Sequence, residues 1–392
     1  MSINEIDKYL GFVYIDILLF MKVFYLSKLI FNSLILTKEM KKRDLLTRLD
    51  AEGVICAEGF LFEMERRGYL TAGEFVPELA LENPDALRNL HKDFQFAGSD
   101  VVEAFTYNGH REKMRVIGKE ELLEPLNRAA LRIAKSVADD VPAGKEPNLL
   151  AGNISNSNIW ADGDANSHKE VRGMFEEMVG WAAEEGADMI IGETFYYAEE
   201  AFAALDVIKK SGLPSVLTVA PMGENKMRDG WSIVDTCKEL EQRGADVVGM
   251  NCFRGPGTMM PYLKEIRKAV KCHVAALPLP YRTTEEEPTF FNLSDNHGCV
   301  CHAPHGRTFP TALDPLYMNR YEIKQWAEEA WALNIRYLGV CCGAAPIHIR
   351  EVAKAMGKNP PAMRYYENMA NHFMYGNTAR IAKHMREYGD KA

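Results

Sequence analysis

Three cysteines fall at positions in the sequence where they could share a metal ion. Cys252 follows the apolar run Asp246–Asn251, and the adjacent pair Cys341-Cys342 follows another apolar run and precedes Gly343. Zinc favours cysteine thiolates, and a catalytic zinc has three protein ligands and one open position. Neighbouring side chains on a regular strand point to opposite faces, so the pair can converge on one metal only where the strand ends, and Gly343 lets the chain turn there. The pattern predicts a zinc site, and the alternative is buried free cysteines, which are common in cores.

Further candidates for chemistry lie near the ends of other apolar runs. Glu193 could bind an ammonium group or act as a base, and the alternative is a structural ion pair. Aromatic side chains suit a quaternary or sulfonium group through cation–π attraction, although ordinary packing explains any single ring equally well. The aromatic candidates are Phe62, Phe75, Phe105, Tyr107, Phe195, Tyr196 and Tyr197.

A short tract rich in cysteine and histidine lies in a long predicted loop. It contains Cys299, Cys301, His302 and His305 and is a candidate for a second metal. Its spacing does not match the common structural zinc sites, and short tracts of this kind are only compositional hints. The sequence contains no P-loop, nucleophile-elbow serine or zincin histidine pair.

The elements that must position these residues repeat along the chain. Eight apolar runs alternate with amphipathic helical segments, and Gly-Ala-Asp or a close relative precedes several of the runs. The runs are 53–56, 100–105, 148–152, 188–193, 215–219, 246–252, 273–277 and 336–341. This alternation predicts an α/β fold, a (β/α)8 TIM barrel, whose active site would lie at the C-terminal ends of the strands. The alternative is an open doubly wound sheet, although its usual glycine fingerprint is absent.

The chain divides into three predicted regions. Residues 1–39 form an apolar N-terminal extension, residues 40–360 the barrel, and residues 361–392 a short C-terminal helical tail. Asp16, Lys22 and Lys28 interrupt the apolar stretch too often for a clean transmembrane helix. An interfacial helix, a poorly packed extension or upstream translated sequence before a start at Met40 would each explain it, and we favour the last.

Composition restricts the function. The net charge of −9 argues against a nucleic-acid partner. We expect no membrane partner apart from the open question of residues 1–39. The eight cysteines do not resemble a secreted disulfide framework, so we expect a cytoplasmic protein with reduced thiols.

The residues from about 43 to 360 resemble the homocysteine S-methyltransferase family and, within it, the betaine–homocysteine S-methyltransferases. The marks are Gly249-Met250-Asn251-Cys252 and Gly339-Val340-Cys341-Cys342-Gly343, supported by Arg67-Gly68-Tyr69, Glu103-Ala104-Phe105-Thr106, Pro278-Leu279-Pro280-Tyr281 and Leu313-Asp314-Pro315. The two cysteine motifs together are quite specific.

The resemblance implies an enzyme that transfers a methyl group from betaine or a related onium donor to the zinc-bound thiolate of homocysteine, giving methionine. It implies that Cys252, Cys341 and Cys342 bind Zn²⁺ and that Glu193 holds the homocysteine ammonium group. Glu58, Gly59 and Phe60 would offer backbone N–H groups to the amino-acid carboxylate, and Asn251 would support the metal site. The sequence leaves open whether the chain forms a homo-oligomer.

Departures from the betaine enzymes leave the donor open. Those enzymes carry Gly-Asp-Gly-Gly-Phe where this chain has Cys56-Ala57-Glu58-Gly59-Phe60. Donor-side tyrosines of that group fall at Asn108, beside Tyr107, and at Thr194, and a tryptophan falls at Phe75. The alternatives are another small thiol as acceptor, S-methylmethionine or a corrinoid protein as donor, and a non-catalytic zinc-binding protein.

Overall fold

A closed barrel of eight parallel strands is the centre of the molecule. The computed structural model describes residues 44–391 except 75, 143–144, 224 and 295–307. The strands follow the chain order around the barrel, β1 to β8, and β8 closes on β1. They are β1 Val54–Ala57, β2 Val101–Glu103, β3 Leu149–Ser155, β4 Met189–Phe195, β5 Ser215–Val219, β6 Val247–Asn251, β7 His273–Leu277 and β8 Tyr337–Val340.

Helices connect the strands and cover the outside of the barrel. In the described part of the chain they are α1 Leu45–Ala51, α2 Phe60–Arg66, α3 Leu79–Glu82, α4 Pro84–Ala97, α5 Arg111–Val116, α6 Leu123–Ala138, α7 Ala165–Glu184, α8 Ala198–Ser211, α9 Ile233–Gln242, α10 Pro256–Ala269, α11 Arg320–Ala332, α12 Pro346–Ala355 and α13 Lys383–Gly389. Short 3-10 helices cover Glu120–Leu122, Asp314–Leu316, Pro361–Tyr365 and Met369–Asn371.

The recurring Gly-x-Asp turns fix the strands in register. Each aspartate lies just before one strand. Its carboxylate accepts a hydrogen bond from a backbone N–H at the start of the preceding strand of the barrel. Asp100 accepts from Ile55, Asp188 from Leu150 and Asp246 from Ser215, each at 2.8 Å. The glycine two residues earlier has a positive φ of 122°, 82° or 89°, which a Cβ would strain. Each repeat therefore ends a helix at its glycine and, through its aspartate, ties one strand to the strand before it.

The predicted barrel is confirmed, and the open doubly wound sheet is excluded because β1 pairs with β8. Each of the eight predicted runs overlaps one strand. The amphipathic segments predicted between the runs are helical, as in α7, α9 and α11. In the described part of the chain, no helix is both long and apolar enough to span a membrane. The expectations for residues 1–39, for Phe75 and for the Cys299–His305 tract lie outside the described residues.

Candidate active site at the C-terminal end of the barrel

The three cysteines converge at the mouth of the barrel. Cys252 follows β6 and Cys341 follows β8, and the Sγ atoms of Cys252, Cys341 and Cys342 all lie within 4.8 Å of one another. Cys252 and Phe253 both adopt the left-handed region, with φ of 54° and 55°. Non-glycine residues seldom adopt this conformation, which costs about 1–3 kcal/mol each and is concentrated at functional sites. The strained turn brings the Cys252 thiol to the other two.

A hydrogen-bonded support holds the turn after β8. Gly343 has φ of 93°, and a Cβ there would lie 2.4 Å from the Tyr281 hydroxyl oxygen, so only glycine fits. The Tyr317 hydroxyl donates to the Gly343 carbonyl, and the Arg66 guanidinium donates to the hydroxyls of both tyrosines. This network fixes the position of the adjacent cysteine pair.

The donor set fits a zinc ion. Burial opposes ionisation of Cys252, but hydrogen bonds from Cys341 and Cys342 outweigh it and lower the pKa of this thiol to about 6. The two neighbouring thiols therefore favour the thiolate form of Cys252. Three soft sulfur ligands leave a fourth tetrahedral position, as catalytic zinc sites do. All three cysteines line one cavity, so this open position would face it.

Glu193 lies next to the cysteines and is held by amide groups on both sides. The Asn153 amide donates to Glu193 Oε1 at 2.7 Å, and the Asn251 amide donates to Oε2 at 2.6 Å. The Asn251 carbonyl oxygen accepts from the Thr194 backbone N–H and from the Thr218 hydroxyl, each at 2.9 Å. Asn251 therefore connects β4, β5 and β6 and orients the carboxylate.

The electrostatic surroundings of Glu193 favour a cationic partner. Burial and, to a smaller extent, nearby Cys341 raise the pKa of this carboxyl to about 8, against hydrogen bonds from Asn153, Thr194 and Asn251. A positive charge brought into contact would favour the ionised carboxylate and reverse the shift. The arrangement suits an ammonium group.

A narrow cavity of about 20 Å³ lies over these residues, room for about one water molecule. A substrate would have to move its walls apart, as lids and side chains do in many enzymes. The lining residues are Glu58, Phe60, Leu61, Glu103, Ala104, Phe105, Tyr107, Glu193, Thr194, Cys252, Cys341 and Cys342.

Most of the predicted substrate-binding residues lie at this cavity. Glu58, Phe60, Tyr107 and Thr194 line it. Gly59 packs closely beneath the turn after β8, because a Cβ on it would lie 2.4 Å from the Ala344 carbonyl oxygen.

Two of the predicted details differ in the structure. The Glu58 N–H donates to the Val340 carbonyl at 3.3 Å, so of the three predicted amides only those of Gly59 and Phe60, at the start of α2, lie at a free helix end. Asn108 is half-buried with φ of 61° and does not line the cavity.

The predicted set left out residues that the structure places at the site. Glu103 and Leu61 line the cavity, and Asn153 and Thr218 hold its polar groups. Glu103 and Asn153 lie at or near the ends of apolar runs in the sequence, and this position could have marked them as site residues. Nothing in the sequence around Leu61 or Thr218 marks either residue.

Comparison with known proteins agrees with this geometry. The family model described as "Homocysteine S-methyltransferase" matches residues 55–356. The chain is 33% identical over 328 residues to betaine–homocysteine S-methyltransferase 1 of Xenopus tropicalis, covering 80% of this chain and 76% of the relative. It is 31% identical over 335 residues to S-methylmethionine–homocysteine S-methyltransferase of Rattus norvegicus, covering 82% and 84%.

Solved structures share the fold. The metallated form of the homocysteine methyltransferase MmuM from Escherichia coli superposes with a TM-score of 0.59 at 17% identity, covering 79% of this chain and 98% of that one. At this identity the likeness shows the barrel alone. The family match and the sequence relatives together show that the chain is a methyltransferase that belongs to the homocysteine S-methyltransferase family.

Proposed function

We propose that this enzyme transfers a methyl group from a small onium donor to the sulfur of homocysteine, giving methionine, with Zn²⁺ held by Cys252, Cys341 and Cys342. The observation that carries the proposal is the convergence of three buried sulfur atoms beside Glu193 at the C-terminal end of the barrel. When bound, zinc would lower the pKa of a thiol in the site and so supply a nucleophile at neutral pH. Three reduced thiols also favour the expected cytoplasmic location.

The side chains around the metal ligands would position the acceptor. Glu193, held by Asn153 and Asn251, would bind the homocysteine ammonium group, and the free N–H groups of Gly59 and Phe60 would face its carboxylate. Fixing the amino acid at both ends would place its sulfur near the cysteines. Orientation of this kind accounts for a large share of the rate in two-substrate reactions.

The methyl donor would bind next to aromatic side chains. Phe60, Phe105 and Tyr107 line the cavity and suit the methyl groups of a quaternary or sulfonium cation. The two sequence relatives described above are named for betaine and for S-methylmethionine as methyl donors. We propose an onium donor of this general class, with betaine first. Thr194 and Asn108 replace donor-side tyrosines expected for the betaine enzymes, and for this reason S-methylmethionine is kept as the alternative donor.

A donor screen with purified protein and homocysteine, read out as methionine, tests the proposal. We expect turnover with at least one onium donor, loss of turnover with a zinc chelator, and recovery when zinc is added back. Cys252→Ala should lose both zinc and turnover. Cys237→Ala, a buried cysteine on α9 outside the site, should keep both. Full activity of Cys252→Ala would contradict the metal assignment.

A second acceptor is favoured by one observation. The carboxylate of Glu58 lines the cavity, whereas the resemblance predicts an acid one position earlier, where this chain has Ala57. A change in the charge near the amino-acid group could select another small thiol. Running the same assay with a panel of aminothiols in place of homocysteine separates the two acceptors.

A further inference from the structure

A second group of buried metal-ligating side chains lies beside the three cysteines. Cys56 in β1, Glu58 just after β1 and Glu103 at the end of β2 each place a ligand atom within 4.8 Å of the others. The Cys56 Sγ lies 3.9 Å from Glu103 Oε2. None of these three residues belongs to the proposed zinc ligands.

Glu58 shows that this group lacks a partner. Its side chain is 7% exposed, and neither carboxylate oxygen has a hydrogen-bond partner among the residues that the structure describes. Buried polar groups are nearly always hydrogen-bonded, and buried charges are paired or bind metals. A carboxylate that is enclosed and without a partner indicates that a cation belongs next to it.

Glu103 is oriented in the way that second-shell contacts orient metal ligands. The Asn153 amide donates to Glu103 Oε1 and leaves Oε2 on the side of Cys56. Metal-bound carboxylates are commonly fixed by such a hydrogen bond to one oxygen. Asn153 also holds Glu193, so one amide sets the direction of two carboxylates.

The carboxylates around the cavity favour a bound cation, and the types of ligand atom indicate which kind. Three carboxylates line the cavity, and no lysine, arginine or histidine is among the described residues that line it. Cys56 lies behind this lining and is fully buried. A bare ion could contact the sulfur and both carboxylates, whereas an ammonium group on a substrate would gain little from the thiol. One sulfur and two carboxylate ligands suit zinc or a similar transition metal rather than magnesium or calcium.

We propose that Cys56, Glu58 and Glu103 bind a second divalent transition-metal ion, separate from the ion held by the three cysteines. The site goes beyond the proposed reaction, and through Glu58 and Glu103 it borders the cavity that would hold the acceptor. Glu58 also lies within 4.8 Å of ligand atoms of Glu193 and Cys341, so it stands between the two sites. The second ion would neutralise Glu58 and Glu103 and leave Glu193 for the substrate.

Metal content per chain tests the site without using activity. The full-length protein is loaded with Zn²⁺, freed of loosely bound ions by gel filtration, and analysed by inductively coupled plasma mass spectrometry. We expect two ions in the wild type, one in Glu103→Gln, one in Cys56→Ala and one in Cys252→Ala. Combining Cys56→Ala with Cys252→Ala should leave none, and the control Cys237→Ala should keep two.

One ion in the wild type, unchanged in Glu103→Gln, would overturn the inference. Glu103→Gln keeps the size and shape of the side chain, so it remains informative if Cys56→Ala does not fold, and circular dichroism checks both. The outcome is distinguishable from failure of the proposed function. A wild type with one ion that is lost in Cys252→Ala together with turnover would refute only the second site.

Discussion

Replacing Glu200 by glutamine should remove a pH-dependent loss of stability. Glu200 lies in the first turn of α8 and is fully buried. Its Oε1 accepts hydrogen bonds from the Ser157 backbone N–H at 2.7 Å and the Ser157 hydroxyl at 2.5 Å, and its Oε2 has no partner in the described part of the chain. Burial raises the pKa of Glu200 to about 7, against the hydrogen bonds from Ser157.

The sign and size of the effect follow from this shift. Between pH 4.5, the ordinary value, and about pH 7 the folded chain keeps a proton that the unfolded chain releases, so stability falls as pH rises through this window. At about 1.4 kcal/mol for each pH unit of difference, the loss amounts to about 3 kcal/mol above pH 7. Glutamine has no proton to lose and keeps an oxygen acceptor for Ser157.

Urea unfolding of wild type and Glu200→Gln at a series of pH values measures the difference directly. We expect the two free energies of unfolding to agree within about 1 kcal/mol near pH 5, and the variant to be more stable by about 3 kcal/mol near pH 8.5. Other buried carboxyls, including Glu58 and Glu103, titrate in both proteins and cancel in the difference. Glu199→Gln removes a charge from the same helical turn at a half-buried position and reports the effect of charge alone.

A constant difference across the pH series would refute this reasoning. A variant that becomes progressively less stable than the wild type at high pH would refute it as well, because that result means that the ionised carboxylate is the stabilising form.

Three other substitutions test the packing and the polar support. Gly249→Ala would place a Cβ 2.0 Å from the Ala275 carbonyl oxygen, and we expect a loss of about 3 kcal/mol or no soluble protein, read by thermal unfolding. Asn251→Ala removes the amide that holds Glu193. A hydrogen bond to a charged group contributes about 1.5–3 kcal/mol, so we expect kcat/KM to fall about 10- to 100-fold. Unchanged kinetics would refute the role of Asn251 in orienting Glu193. Lys358→Met leaves Asp100 without its 2.6 Å ion pair, and we expect about 2–3 kcal/mol lower stability in urea unfolding, largely restored by adding Asp100→Asn.

The barrel and the three-cysteine cluster could be predicted because each depends on a local pattern. Strands buried on both faces give continuous apolar runs, and parallel strands place all their C-terminal ends at one rim. Cys252, Cys341 and Glu193 each lie at or near such an end, so their convergence follows from the order of the elements. The family resemblance added the roles of these residues, which the pattern leaves open.

The remaining parts of the site depend on tertiary contacts that no local pattern encodes. Asn251 joins Glu193, Thr194 and Thr218 across three strands, which requires the register of the closed barrel. The conformation of Cys252 and Phe253 contradicts local preference, because glycine and asparagine are the usual residues in the left-handed region. Sequence reasoning based on propensity fails here because the functional turn is strained.

Hydrogen bonds to other segments explain how the strained turn at Cys252 and Phe253 is held. The Cys252 N–H donates to the Leu277 carbonyl at the end of β7, and the Phe253 carbonyl accepts from the Phe290 N–H at 2.9 Å. Two hydrogen bonds to separate segments, each contributing about 0.5–1.5 kcal/mol, together with the burial of Phe253, offset a strain of similar size. Contacts outside the three-cysteine cluster therefore hold the turn that carries the Cys252 thiol. The less of a metal ion's binding free energy is used to order such a turn, the more of it remains as affinity.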